Sequence, residues 1–564
     1  MSSHTTADDQ IGGPAPLAYA AAAVVGAFGF AFRFLALRGL PNDHYIYLSA
    51  AQQIVLGDVP GRDFVEPGML LQFLVSAAGQ AVAPGPSTEA VLTAAFLALS
   101  AAVTCVGVSW LTRSTVAGAL AGLFQLLVYT RLYSFPKVLV PAVLLLLALA
   151  YARRPGTIPR ALLAAWIAVA FLLRHDIGAY AAIAGACAVG LSHRTVGGGV
   201  RACAMLTATV LLVLAPYFIY LQWSGGVVEH VRGAFEYGNA ESGGFNFPWP
   251  TIAFGPAARA AGSLPWSRDD SAAYLYYVAC SLPLVAAALL MTIAEHRRRA
   301  LTRAGVGSAV VIALFYDLII LRHPIITRVQ DLAAVFAILG AWTVVALLRA
   351  ILGSRPAAVL SWRAIPTAAV VGAVAVAAFS VNVLAELPDE LDEANLFNPP
   401  SALRDHAREV MAAGRDWPWR TFWPSGSPPD AVEYVNACTR PDERIWVTWP
   451  APEWYVFTRR GFGAGHANTL SPHSYKTIAD QQLVIARLDR NRVPVVLINE
   501  STRPEFAAAY PREDEYLRRL YVPSGQFTIR DGSTISIAIR RGLKATGTYG
   551  VEGWPCRFVA DPAG

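Results

Sequence analysis

Twelve apolar runs set the terms on which this chain can fold. They lie at about 16 to 37, 68 to 83, 89 to 110, 114 to 130, 137 to 152, 160 to 173, 177 to 192, 202 to 221, 272 to 293, 305 to 321, 330 to 349 and 364 to 384. Each reaches, or nearly reaches, the length needed to cross about 30 Å of hydrocarbon as a helix. Backbone in lipid must satisfy its own hydrogen bonds, so a helix bundle is the architecture these runs permit. With 55% hydrophobic and only 15% charged residues, the 564-residue chain falls outside the soluble globular class. The expected fold is mainly α, a polytopic bundle of about 11 to 13 helices over residues 16–384.

Residues 1–15 are polar and lack the basic start and small-residue cleavage site of a signal peptide, so they are expected to be a cytoplasmic tail ahead of a retained first span. Arginine between the spans gives the orientation. Arg153, Arg154 and Arg160, then His193, Arg194 and Arg201, then Glu295 to Arg303, then Arg349 to Arg363, occupy alternate loops, which are assigned to the cytoplasm. The other loops, 39–67 and 222–271 among them, then face outward, as does everything after 384. Those end-points need an odd number of crossings. One of the twelve runs therefore fails to cross, and 68 to 83, between Pro67-Gly68 and Pro84-Gly85-Pro86, is the first suspect; the broken pair around Arg174 is the second.

The outer loop 39–67 is acidic, with Asp43, Asp58, Asp63 and Glu66. Asn42 or Asp43 is placed to cap a short helix. Tyr47, Ala50, Ala51 and Ile54 form its apolar face and Ser49, Gln52 and Gln53 a polar one, the pattern of a helix lying flat at a membrane surface. The loop 222–271, with GNAESGGFNFPWP, reads either as a cover whose aromatic faces stack on a sugar ring or as an irregular loop with interfacial aromatics.

Charges also stand where outward helix ends should be poor in them: Arg131 and Lys137, then Arg174, His175 and Asp176, then Arg322, His323 and Arg328 with Asp331. Ionisable groups at such depth face a cavity or a partner. Guanidinium groups meet phosphate oxygens in pairs, so a set of this kind suits a lipid phosphate. The plainer alternative is internal pairing, Arg174 with Asp176 and Arg328 with Asp331.

After a charged, Pro- and Trp-rich linker at 385–428, residues 429–564 carry the pattern of a small α/β domain: helices at 430–438, 478–491 and 513–521, strands at 444–448 and 493–498, and a hairpin at 526–530 and 534–539. No glycine-rich phosphate fingerprint occurs in it. Cys438 and Cys556 fall in this part and could pair if it is extracytoplasmic; Cys105, Cys187, Cys203 and Cys280 sit in apolar runs. No metal-ligand spacing stands out. The net charge of +6 is spread over short clusters and is no footprint of nucleic-acid binding.

The order of these parts carries a resemblance. Asp43 after the first span, the phrase LGDVPGRDFVEPG, the RHDIG and RHPIITRVQD segments and the tail PDAVEYVNACTRPDERIWVTWPAPEWYVFTRRG make the chain similar to the GT-C superfamily of membrane glycosyltransferases. It looks most like the bacterial branch akin to protein O-mannosyltransferases and the lipid A aminoarabinose transferase. The resemblance implies a polyprenyl-phosphate sugar donor, an inverting general-base reaction on the extracytoplasmic face of a bacterial inner membrane, a glycan or lipid acceptor, and Asp43 as the base. Arg174, His175, Arg322, His323 and Arg328 are then expected around the donor phosphate, with His44, Asp63, Glu66 and Asp176 toward the acceptor or in support, and a divalent cation as a candidate cofactor. Two departures stand out: His44 follows Asp43 where the O-mannosyltransferases have a second acid, and Glu66-Pro67-Gly68 replaces the Lys-Pro-Pro of the aminoarabinose transferases. The competing class is a flippase or transporter of a lipid-linked or polar solute, which would favour charges near the bilayer midplane.

Overall fold

The computed structural model describes residues 13–37, 39–244, 249, 268–293, 299–322, 324–352, 391–396, 398–412, 430–470, 476–529, 532–550 and 553–560. His323, the run 364 to 384 and most of 245–267 lie outside them. The chain divides into two compact units, one of residues 1–36, 93–216 and 246–404, the other of 37–92, 217–245 and 405–564.

The first unit is helical. Its elements are α1 (Pro16–Leu35), most of α4 (Pro86–Thr112), α5 (Thr115–Leu127), α6 (Phe135–Arg153), α7 (Thr157–Leu173), α8 (His175–Ser192), most of α9 (Val196–Ser224), then, past α10, α11 (Arg268–Thr292), α12 (Ala300–Arg322), α13 (Ile326–Gln330), α14 (Ala333–Leu352) and the start of α15 (Pro400–Ala412). Among the described residues, six helices are long and apolar enough to cross a membrane, and four shorter apolar ones accompany them. This is a multi-pass membrane protein. The suspect run 68 to 83 is α3 (Leu70–Val82), and 13 residues span only about 20 Å as a helix.

Small residues let these helices close up. Between α4 and α5 the chain turns at Arg113, in the left-handed region at φ 55°, and Ser114 caps α5 by accepting from the Ala117 N–H. Cβ atoms added at Gly118 and Gly122 would strike the Cys105 and Ala101 carbonyls of α4 at 2.3 and 2.8 Å. The suspected break at Arg174 is a tighter device. Arg174 alone is extended between α7 and α8, and the returning helix presses Gly178 so close to Phe171 that a Cβ would lie 2.1 Å from its Cα. Helix α12 packs on α6, α8, α11 and α14, with the buried Tyr316 hydroxyl donating to the Lys137 carbonyl at 2.8 Å.

The second unit joins α2 (Asn42–Val55), α3 and α10 (Val227–Gly244) with the C-terminal domain. That domain has α16 (Asp430–Cys438), β1 (Arg444–Val447), α17 (Glu453–Thr458), β2 (Gly461–Phe462), α18 (Ile478–Arg490), β3 (Val495–Asn499), α19 (Arg503–Ala509), α20 (Pro511–Leu520), β4 (Tyr521–Thr528), β5 (Thr534–Arg540), β6 (Leu543–Tyr549) and β7 (Trp554–Ala560). The sheet runs β2-β1-β3-β5-β4; β1 is parallel to β2 and β3, and β5 is antiparallel to β3 and β4. Its core is Trp446, Val484, Leu488, Val496, Phe506, Tyr516 and their neighbours. A capping box of Thr477 and Asp480 starts α18. The separate hairpin β6-β7 was not foreseen, and its Cys556 is joined by a disulfide to Cys438 of α16.

Two local expectations change. The segment 227–244, read as irregular loop, is helix. In α2 neither Asn42 nor Asp43 is the cap; Pro41 is, and Asp43 stands in the first turn.

Candidate functional site

Two groups of side chains, one in each unit, carry chemistry. In the helical unit they gather where α6, α8, α12 and α13 begin or end. The Thr130 hydroxyl donates to the Gln330 carbonyl at 2.8 Å, which brings the turn before α6 beside the end of α13. Asp331 is buried there. Its Oδ2 takes the Lys137 ammonium as partner and lies 3.8 Å from Arg131 and 3.9 Å from Arg328. Arg174 and Arg328 are close enough to Lys137 for their charges to act on it. At the tip of the α7–α8 hairpin, Arg174 Nε donates to Asp176 Oδ1 at 2.8 Å, and the Ile177 N–H donates to the same oxygen. His175 stacks on Phe171 at 4.2 Å. Arg322, exposed at the end of α12, acts with Arg174 and Asp176 on Tyr180, whose ring lies on Phe315 and edge-on to Tyr316.

Arg174, Arg322 and Arg328, chosen from sequence, thus meet in one unit with Lys137 and Arg131. Four of these cations meet two carboxylates, Arg131, Lys137 and Arg328 at Asp331 and Arg174 at Asp176. The two internal pairs named as the plainer alternative both form, so pairing and convergence are not exclusive. Lys137 is the residue sequence reasoning underweighted, because a lysine inside an apolar run gives no hint that its partner comes 194 positions later.

In the second unit Asp43 is exposed, in the first turn of α2, where the helix's partial positive charge favours a carboxylate. His44 points the other way: it is fully buried, with Nε2 3.1 Å from Glu89 Oε1, and Glu89 also accepts from the Ser76 hydroxyl at 2.9 Å. Asp63 is held by the Val59 N–H at 2.9 Å, by Arg62 at 2.6 Å and by Arg490 at 3.3 Å. Burial pushes its carboxyl up, but Arg62 and the Val59 N–H outweigh that and leave it below the usual range. Glu66 is buried, accepts from the Met69 N–H, and faces the Tyr217 hydroxyl at 3.4 Å and His230 at 3.9 Å. Burial pushes its carboxyl up to about 7 against those donors, and the His230 imidazole is lowered by its own burial. Glu66 and His230 are donors of the types a divalent cation takes. Tyr217 and His230 had no signal in the sequence beyond falling near an outward loop.

The polar face of α2 meets protein. Gln53 reads the edge of β2, donating to the Phe462 carbonyl and accepting from the Phe462 N–H, both at 3.1 Å, and it also donates to Asp58 at 2.7 Å. Asp58 in turn takes Arg444, with Nε at 3.2 Å. Gln52 donates to the Tyr455 carbonyl at 3.2 Å, and the Val65 N–H to Gly465 at 3.0 Å.

No family model matches the sequence, and no curated protein matches it. Solved structures do. ArnT from Cupriavidus metallidurans, bound to undecaprenyl phosphate, aligns with 93% of this chain and 97% of its own at 15% identity and a TM-score of 0.46. The oligosaccharyltransferase AglB from Archaeoglobus fulgidus, in complex with an inhibitory peptide and a dolichol-phosphate, aligns over 92% and 74% at 12% identity and 0.40. The Archaeoglobus fulgidus oligosaccharyltransferase in its apo form aligns over the same shares at 13% and 0.40.

Proposed function

We propose that this protein is a membrane glycosyltransferase that moves a sugar from a polyprenyl-phosphate donor to a cell-envelope glycan or lipid, with inversion, on the extracytoplasmic face of a bacterial inner membrane. The observation that carries the reading is the meeting of Arg131, Lys137 and Arg328 at Asp331 and of Arg174 at Asp176, within one unit that also holds Arg322. Four cations against two carboxylates suit a bound anion, and a phosphate at membrane depth comes on a lipid. The Cys438–Cys556 disulfide supports an oxidising, outward compartment for the second unit.

In the reaction, the acceptor hydroxyl gives its proton to the Asp43 carboxylate and its oxygen attacks the anomeric carbon. The bond from that carbon to the phosphate oxygen breaks with its electron pair, and the charge that grows there is stabilised by the cations. Glu66 and His230 would hold a divalent cation, which would supply Lewis-acid polarisation when bound.

The test supplies membranes with a panel of radiolabelled polyprenyl-phosphate sugars. Asp43→Asn should lose at least about 100-fold in transfer while still binding donor. Arg174→Ala and Arg328→Ala should instead weaken donor binding. Full activity in the Asp43 variant ends the base assignment, and unchanged affinity in both arginine variants ends the phosphate site. A carrier is the second reading, favoured by Asp317, a carboxylate buried within α12. It requires the opposite pattern, with Asp317→Asn inactive and Asp43→Asn intact.

A further inference from the structure

At the start of α12, opposite the Arg322 end, a shallow, narrow cleft opens between α4, α12 and α14. Three arginines from three separate elements line it: Arg113 in the α4–α5 turn, Arg299 just before α12, and Arg349 on α14. Arg349 is steered there by donating to the Thr112 carbonyl. Thr302, in the first turn of α12, and the rings of Trp110 and Trp342 complete the lining. The α12 N-terminus brings the positive end of a 23-residue helix.

One group in this cleft lacks its partner. Trp110 is 7% exposed, and its indole N–H meets no acceptor among the described residues. A buried N–H without an acceptor costs free energy that a ligand oxygen would recover. Guanidinium groups, an indole N–H and a helix N-terminus are all donors, so this lining suits an anion. At 23 residues, α12 is about 34 Å long, which separates this cleft from the Arg322 end by roughly the thickness of the hydrocarbon.

We propose that this cleft binds the phosphodiester headgroup of an anionic phospholipid in the leaflet opposite the proposed donor site. The arginine forks match the phosphate oxygens of such a headgroup. The proposal does not depend on what reaction, if any, occurs at the other end of the bundle.

The test uses the full chain in detergent, titrated with phosphatidylglycerol, phosphatidylcholine or inorganic phosphate, with bound lipid read by native mass spectrometry and stability by thermal unfolding. Phosphatidylglycerol should be retained and raise the unfolding temperature, and phosphatidylcholine should not. Arg299→Ala and Arg349→Ala should each weaken phosphatidylglycerol about tenfold. Trp110→Phe keeps the ring but removes the N–H, and should weaken it as well. Arg201→Ala, an arginine outside the cleft, should change nothing. An equal response to phosphatidylcholine, or an undiminished response in the Trp110 and arginine variants, overturns the site. Full stabilisation by inorganic phosphate alone overturns the lipid assignment.

Discussion

Glu513, in the first turn of α20, is 1% exposed, and neither carboxyl oxygen meets a donor among the described residues. Burial, with Asp480 adding to it, pushes the group up to about 8 from 4.5. A carboxyl raised in the folded state keeps a proton that the unfolded chain gives up, so its contribution is complete below pH 4.5 and is lost as pH rises toward 8. Glu66, at about 7, acts in the same direction. Glu513→Gln should therefore flatten the fall in unfolding temperature between pH 5 and 8 and raise stability at pH 8 by about 1–3 kcal/mol. Superimposable pH profiles for variant and parent would refute this. At this scale the sequence was informative where charge broke a rule: Arg174 and Arg328 stood out because outward helix ends should lack them. It was silent on Lys137 with Asp331 and on Glu66 with Tyr217, because each pair is made by chain crossings that no local pattern encodes.

Helix α2 is where local pattern misled. Its 3.6-residue periodicity was read correctly, but Gln52 and Gln53 were assigned to water and instead face α17 and β2 of the C-terminal domain. A glutamine on a helix looks the same whether its partner is solvent or a strand 409 residues away. The hairpin β6-β7 escaped for a related reason, since LKATGTY is mostly exposed and its alternating face is weak, with only alanine and glycine between Leu543 and Tyr549. By contrast α3 was suspected from its bounding Pro67-Gly68 and Pro84-Gly85-Pro86 and from Gln72 and Gln80 within it. The α2 contacts make a prediction of their own. Gln53→Ala leaves both Phe462 backbone groups without this partner and should cost about 1–3 kcal/mol in stability. If Asp43 is the base, transfer should also slow with donor affinity unchanged. Limited proteolysis within 56–69 reads the loosening directly; a variant as resistant and as active as the parent would mean that the docking does not position α2.

For the molecule as a whole, sequence reading fixed the class, a helical bundle followed by a small sheet domain, because apolar run length and strand alternation are local properties. The grouping of 37–92 and 217–245 with the C-terminal domain was not legible, since it depends on contacts across the whole chain. The disulfide closes a loop of 118 positions in this unit. Replacing Cys438 and Cys556 together by Ser should lower stability by about 2–4 kcal/mol, seen as a fall in unfolding temperature that reductant reproduces in the parent. An unchanged midpoint would show that the β6-β7 hairpin is held without it.

The junction of Gln53 with Phe462 also sets a timetable for biogenesis. At about 5–20 residues per second, the 409 positions between them take roughly 20–80 s to synthesise. During that interval α2 is already made and its Gln52–Gln53 face has nothing to dock against. A newborn chain must keep this early segment soluble or shielded until its late partner emerges, so truncation before β2 would strand it with its docking face bare.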